Sequence, residues 1–398
     1  MLEGHISKEE ALERIRQVWR PAPGTEAVAL INAKGRITAE DHFAKFSLPV
    51  VRAAGMDGIA VDFDLLENGA PDSFGWIRGN EYDRADTGDD FDDKYDTVLP
   101  IEWISGEGDG IKIDVKGSGH LHRGMNVKPS GATIEKGELL VKAGTEINAL
   151  DIATLATGGH ESVKVIKEPI VTFIPTGSEL VPAGTEIKRG QNFDANSLMV
   201  AAMLEDMGAE PIIGGVVKDD CADIEKALDA ALEKSDIVLL NGGSSKGDED
   251  FNTRIMAKKG RVLFHWVLAA PGRPMSAAVI NDRLVINLAG PTMAAYHGIY
   301  WCVREAIAYW YGRPVRYGWE LTVRICSKLP DPPLSLIIRL QVEKNEEGIL
   351  TALPVEAVGK GKHPKISQPE ANAFYITSPG EKSPEEGDDI TVIMTKSF

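Results

Sequence analysis

Cysteine is scarce in this 398-residue chain: Cys221, Cys302 and Cys326 are scattered and odd in number. That excludes a disulfide framework and a CxxC site, and fits a reducing, cytoplasmic setting. Long apolar runs are missing as well. No stretch is long enough to span a bilayer, and the opening MLEGHISKEEALERIRQ lacks a signal-peptide core, so neither a membrane anchor nor secretion is expected. Positive charge is in deficit: 43 Lys and Arg face 60 Asp and Glu, a net charge of −17. This argues against nucleic acid or an anionic membrane as main partner. It also means that an anionic ligand would need local Lys or Arg, or a bound divalent cation, to offset the field. Internal repeats, low-complexity segments and a Ser/His/Asp constellation are absent. His265 falls within an expected strand and His297 within an expected helix, and both read as packing residues.

What is present is an ordinary globular composition, 43% hydrophobic and 26% charged, with length for two to four domains at roughly 100–200 residues each. Ser7 with Glu10 three residues on forms a capping box that opens a helix to about Trp19, ended by Pro21 and Pro23. Residues 25–39 read as strand, turn and strand, and Asp57-Gly58 as a hairpin turn between apolar runs. From 62 to 146 short strands and many glycines suggest a small β domain. Its acidic run 81–96 reads as a solvated loop, with a metal site as the lesser reading. A short helix over 148–157 leads into 168–314, where strands and helices alternate. That pattern predicts a mostly parallel sheet covered by helices on both faces. Residues 315–398 read as a second small β domain of barrel type. The chain is therefore expected to be a multidomain α/β protein. An N-terminal helix (1–24) packs on the α/β domain (168–314). Segments 25–61 and 147–167 form a linker or dimerisation domain, and 62–146 and 315–398 are β domains.

The stretch SDIVLLNGGSSKGDEDF, residues 235–251, organises the rest. A fully apolar strand breaks at Asn241-Gly242-Gly243-Ser244-Ser245, where glycines and hydroxyls allow close backbone approach to a ligand. Asp248, Glu249 and Asp250 follow where a helix should begin, which the helix dipole favours on its own. In an open α/β sheet, ligands bind outside the carboxyl ends of the strands. Four loops should emerge at that edge, holding Thr176 and Glu179, Gly242–Asp250, Pro271–Pro274, and Ala289–Thr292. Glu179, Asp194, Asp248 and Asp250 are the candidate carboxylates, and Lys246 and Arg273 the nearby cations. Hard oxygens of this kind hold Mg²⁺ through one or two carboxylates plus ligand phosphate.

Read in order, MDGIAV, the Thr87-Gly88 loop, the G-x-N-V-K segment, PTGSEL, DANS and GGSSKGDEDF resemble the molybdopterin molybdenumtransferases. These are the MoeA proteins of molybdenum cofactor synthesis, related to the gephyrin E domain. The resemblance covers almost the whole chain. It implies an elongated four-domain subunit that forms a homodimer. It also implies Mg²⁺-dependent conversion of adenylylated molybdopterin and molybdate to molybdenum cofactor and AMP, with other proteins of that pathway as possible partners. By matched motif, Glu179, Asp248, Arg273 and Asp57, the last from the facing protomer, would be catalytic. Glu179, Asp248 and Asp250 would hold the metal. Thr87, Thr176, Gly177, Gly242, Gly243, Ser244, Ser245, Lys246, Pro271, Gly290 and Ser367 would bind the pterin-nucleotide. The family's Lys-Pro-Gly-Lys-Pro is here Ala270-Pro271-Gly272-Arg273-Pro274, and its Pro-Gly-Asn-Pro is Ala289-Gly290-Pro291-Thr292. These departures keep two other readings open: a non-catalytic molybdopterin carrier or sensor, and a Mg²⁺-dependent hydrolase of another phosphate ester or nucleotide.

Overall fold

A computed structural model describes residues 5–67, 71–106, 110–114, 121–242, 251–331, 334–355, 366 and 368–396. The chain divides into two compact units, Thr25–Ile166 and Met1–Gly24 with Lys167–Phe398.

The larger unit is built on a six-stranded sheet. Its order is Glu210–Ile213, Ile170–Pro175, Ile237–Asn241, Arg283–Leu288, Ser276–Ile280 and Arg261–His265. The first four strands run parallel, while Ser276–Ile280 is antiparallel to both its neighbours. Ile237–Asn241 is buried at every position, as its unbroken apolar run requires of a strand covered on both faces. On one face Ile224, Leu228 and Ala231 of the helix Cys221–Leu232 share a core with Ile174, Val238, Leu240, Ile255 and Val285. Phe173, Leu239 and Ile286, one residue out of step, are equally buried and belong to the opposite face. Asp236 staples the amino edge of the sheet: its carboxylate accepts from the Ile170 N–H at 3.0 Å and from Arg283 at 2.7 Å.

The helix Lys8–Val18 closes on this sheet through buried Ala11 and Ile15, and Arg14 donates to the Leu263 carbonyl at 3.1 Å. Only half of its capping box forms. The Ser7 hydroxyl accepts from the Glu10 N–H, but the Glu10 carboxylate turns to Arg14 instead. The expected long helix after residue 292 is present as Thr292–Gly298, a π-helical turn Ile299–Val303, and Arg304–Trp310. Beyond it Trp319–Ile325, Ser335–Lys344, Leu350–Pro354, Ala373–Ile376 and Asp389–Met394 close into a five-stranded barrel around Val323, Leu340, Val342 and Val392. Ala269–Ala270 leaves the central sheet and pairs in parallel with Ser335 and Leu336 of this barrel.

In the smaller unit the turn expected within residues 25–39 is present at Lys34-Gly35, but the strand before it pairs elsewhere, and the hairpin expected at Asp57-Gly58 is not formed. Thr25–Ala29 pairs with the distant Ser162–Ile166, and a 3₁₀ turn at Leu30–Asn32 follows it directly. Gly58 is not a turn residue. It opens the strand Gly58–Val61, which lies between Tyr82–Ala85 and Thr97–Pro100. A Cβ there would stand 1.8 Å from the Leu99 carbonyl oxygen, so close strand approach, and not a hairpin, calls for glycine. The helix Ala149–Thr157 starts at Asn148 with both arms of a capping box, the second supplied by Asp151.

Candidate functional site

The carboxyl ends of Ile170–Pro175, Ile237–Asn241 and Arg283–Leu288 open onto a cleft of about 1020 Å³. Thr176, Gly177 and Glu179 line it from the first strand, Asn241 and Gly242 from the second, and Ala289, Gly290, Pro291 and Thr292 from the third. Asp194, Ala195 and Asn196 border it at the start of the helix Asn196–Asp206. Parallel strands end at one edge, so their following loops converge without further design.

The backbone is closely fitted here. Gly242 has φ +117°, and a Cβ on it would lie 2.6 Å from both the carbonyl oxygen and the hydroxyl of Thr176. A Cβ on Gly290 would meet the Gly242 Cα at 3.8 Å, ordinary contact, so the main chains of the two strand ends lie close together at the cleft. Thr176 is held by the Asn241 carbonyl, which accepts from its N–H at 2.9 Å and its hydroxyl at 3.1 Å. Ser178 and Asp219 exchange two bonds: the Ser178 N–H donates to the Asp219 carboxylate and the Asp219 N–H to the Ser178 hydroxyl. The Asp194 carboxylate accepts from the Ser197 N–H at 3.0 Å and from its hydroxyl, and so caps the helix one position earlier than Ala195, the formal N-cap.

Asn196 and Asn241 form the floor, and the buried Asn252 and Asn287 are tied to it through Gly242. Asn196 Nδ2 donates to Asn241 Oδ1 and to the Gly290 carbonyl, both at 2.8 Å. Asn241 Nδ2 donates to the Ala289 carbonyl at 2.9 Å. Asn252 Nδ2 donates to the Gly242 carbonyl and to Asn287 Oδ1, both at 2.9 Å. Sequence reading missed this floor, because Asn at a strand end reads as a turn former. The available signal was an amide at the end of one mostly apolar strand, IVLLN, and next to the end of another, RLVINL. Asp219 was missed too, lying between the strand Glu210–Ile213 and the helix Cys221–Leu232.

The expected site residues therefore fall into four groups. Thr176, Gly177, Glu179, Gly242 and Gly290 meet in the cleft, with Asp194 beside them. Pro271 and Arg273 are not among its lining residues, whereas Pro274 is. Pairing of Ala269–Ala270 with the barrel draws that loop aside, and Arg273 reaches back to His5 at 3.4 Å. Pro271 instead offers its carbonyl to Nδ1 of the buried His297, whose pKa burial lowers to about 4. Asp57 and Thr87 meet in the smaller unit: Asp57 accepts from both the N–H and the hydroxyl of Thr87 at 2.7 Å. Those two bonds hold the Asp57 carboxyl below the usual carboxylate range. Gly243, Ser244, Ser245, Lys246, Asp248, Asp250 and Ser367 lie outside the described residues.

Among the described residues no group of three or more His, Cys, Asp or Glu is placed to hold a metal ion. The cleft lining nonetheless carries three carboxylates, Glu179, Asp194 and Asp219, and among the described residues no Lys or Arg. No helix among the described residues is long and apolar enough to cross a membrane.

Comparison with known proteins adds three findings. A family model described as "MoeA N-terminal region (domain I and II)" matches residues 6–159, and one described as "Probable molybdopterin binding domain" matches 173–309. The molybdopterin molybdenumtransferase of Bacillus subtilis (strain 168) is 29% identical over 414 residues, covering 98% of this chain and 94% of that relative. The enzyme of the same name from Haemophilus influenzae is 26% identical, covering 92% and 93%. A molybdopterin biosynthesis MoeA protein from Pyrococcus horikosii superposes with a TM-score of 0.77 at 25% identity, covering 99% of this chain and all of its own.

Proposed function

The chain belongs to the MoeA family, transferases of molybdenum cofactor biosynthesis, and from that premise we propose that its cleft binds adenylylated molybdopterin, that the dithiolene sulfurs of the pterin take up the metal of molybdate with loss of its oxygen as water, and that water cleaves the phosphoanhydride, releasing AMP. One observation carries this reading. Thr176, Gly177 and Glu179, with Gly242 and Gly290 from two distant segments of the chain, line one cleft at the carboxyl ends of parallel strands. With no side chain on Gly242 or Gly290, a phosphate in the cleft can approach the main chain there.

The acidic lining supports a divalent cation as co-reactant. Glu179 of the lining, with Asp248 and Asp250, which follow Gly242 in the sequence and lie outside the described residues, would offer the hard oxygens that suit Mg²⁺, which when bound would neutralise the phosphates. The protein's own work is to bind and orient. Thr176, fixed by Asn241, and the two glycines shape the anion cradle, and Ser178 with Asp219 steadies the loop that carries Glu179. Asp57, kept ionised by Thr87, is proposed to serve the same reaction as a carboxylate. Arg273 is proposed to act as a more distant counter-charge. A homodimer agrees with the exposed apolar side chains of Ile31, Phe43, Phe46, Val50 and Leu150 in the smaller unit.

The test is to mix purified protein with adenylylated molybdopterin, molybdate and Mg²⁺ and to measure AMP. Release that tracks Mg²⁺ and falls at least 100-fold in Glu179→Gln is expected (about 3 kcal/mol of transition-state stabilisation). No AMP under any metal condition, despite tight pterin binding, would leave a carrier in place of a transferase.

A further inference from the structure

The asparagine floor has a feature that its neighbours do not explain. Asn196 lines the cleft and is only 9% exposed. Both hydrogens of its Nδ2 are spent, one on Asn241 Oδ1 and one on the Gly290 carbonyl. A flipped amide would set its oxygen against the Gly290 carbonyl, so the network fixes which end faces where. Asn241 is locked in turn, because its Nδ2 donates to Ala289 and must leave Oδ1 toward Asn196. The one polar side-chain atom Asn196 has left, Oδ1, is buried and has no hydrogen-bond partner among the described residues. A buried acceptor left unmatched is costly, and a ligand that brings an N–H to it recovers that loss. An oxygen of the ligand placed there would meet a lone pair instead. The acceptor thus discriminates against the anionic part of a ligand and in favour of an amino-bearing ring.

We propose that Asn196 is a specificity-determining residue whose Oδ1 accepts an N–H from an amino-substituted heterocycle of the substrate, and that Asn241 is the positioning residue that aims it. This rests on the reading of the cleft as a pterin-nucleotide site and adds to it a donor requirement at one place on the floor. Two rings of such a substrate carry an amino group, the pterin and the adenine, and both present the same chemistry.

The experiment separates them by binding alone. Full-length protein with Mg²⁺ is titrated with pterin and with lumazine, which carries an oxo group in place of the 2-amino group, and with AMP and IMP, which differ in the same way at the purine 6-position. In the wild type the amino member of one pair is expected to bind about tenfold tighter than its oxo counterpart, and that pair names the ring. In Asn196→Ala the ratio should fall to within about twofold, while the other pair is unaffected. Asn241→Ser should lower the ratio as well, although Asn241 itself makes no contact with the amino group. Equal binding of both members of both pairs by the wild type overturns the proposal, as does a preference that survives in a folded Asn196→Ala. Should that variant fail to fold, the wild-type ratios and Asn241→Ser still decide. Absence of binding by all four probes is a different failure: it removes the pterin-nucleotide reading and this proposal together.

Discussion

Gly242 illustrates how little latitude single positions have in this cleft. Alanine there would combine an unfavourable positive φ with contacts of 2.6 Å to Thr176. Gly242→Ala is expected to lower stability by roughly 1–3 kcal/mol and to abolish pterin binding, read by thermal unfolding and by pterin fluorescence titration. Asp57 makes the opposite kind of demand, for a charge and not for space. In Asp57→Asn the acceptor for Thr87 remains but the charge is gone, so kcat for AMP release should fall with KM little changed, as steady-state kinetics would show. His297 is buried with its pKa lowered to about 4. Its ordinary value is near 6.5 in the unfolded chain, so the unfolded state takes up the proton first as pH falls. Its contribution is complete above pH 6.5 and is lost between 6.5 and about 4, on the order of 3 kcal/mol by the lower limit. Urea midpoints measured across that range should fall more steeply for the wild type than for His297→Gln, which can still donate to Pro271.

At the level of elements, the barrel depends on a side chain acting as a strand. Asn372 Nδ2 donates to the Val342 carbonyl at 2.9 Å, and its Oδ1 accepts from the Val342 N–H at 2.7 Å. Asn372→Ala would leave both buried backbone groups open and should cost about 2–4 kcal/mol, seen as a lower denaturation temperature. Elements with local causes were legible in the sequence. Ser7 and Asn148 begin helices, Ile224, Leu228 and Ala231 face a core, and the run before Asn241 is a buried strand. The failures share a physical reason, which is that pairing over long chain separations leaves no local trace. Nothing in TEAVA names Ser162–Ile166 as its partner. The Asp57-Gly58 pair satisfies a turn rule, but the crowding by Leu99 that selects glycine is set by a strand forty residues on. The same limit hid the floor of the cleft: Asn196 and Asn241 are individually unremarkable and acquire meaning only once the Gly290 carbonyl lies between them.

For the whole molecule the dominant quantity is the net charge of −17. An anionic substrate approaching such a surface is slowed at low ionic strength and relieved by screening. The association rate of pterin-nucleotide should therefore rise between about 10 mM and 150 mM salt, measured by stopped-flow fluorescence, and a rate that fell instead would reveal a local positive funnel.

Ala269 and Ala270 deserve a last consequence, since they belong to the barrel's hydrogen bonding while Pro274, four residues later, forms part of the cleft wall. The tail of the chain is thus a brace for the catalytic unit and cannot be treated as a detachable appendage. Cutting the protein back to Pro314 would unzip that seam and let the wall sag, so a shortened form should keep its central sheet yet hold its ligand loosely.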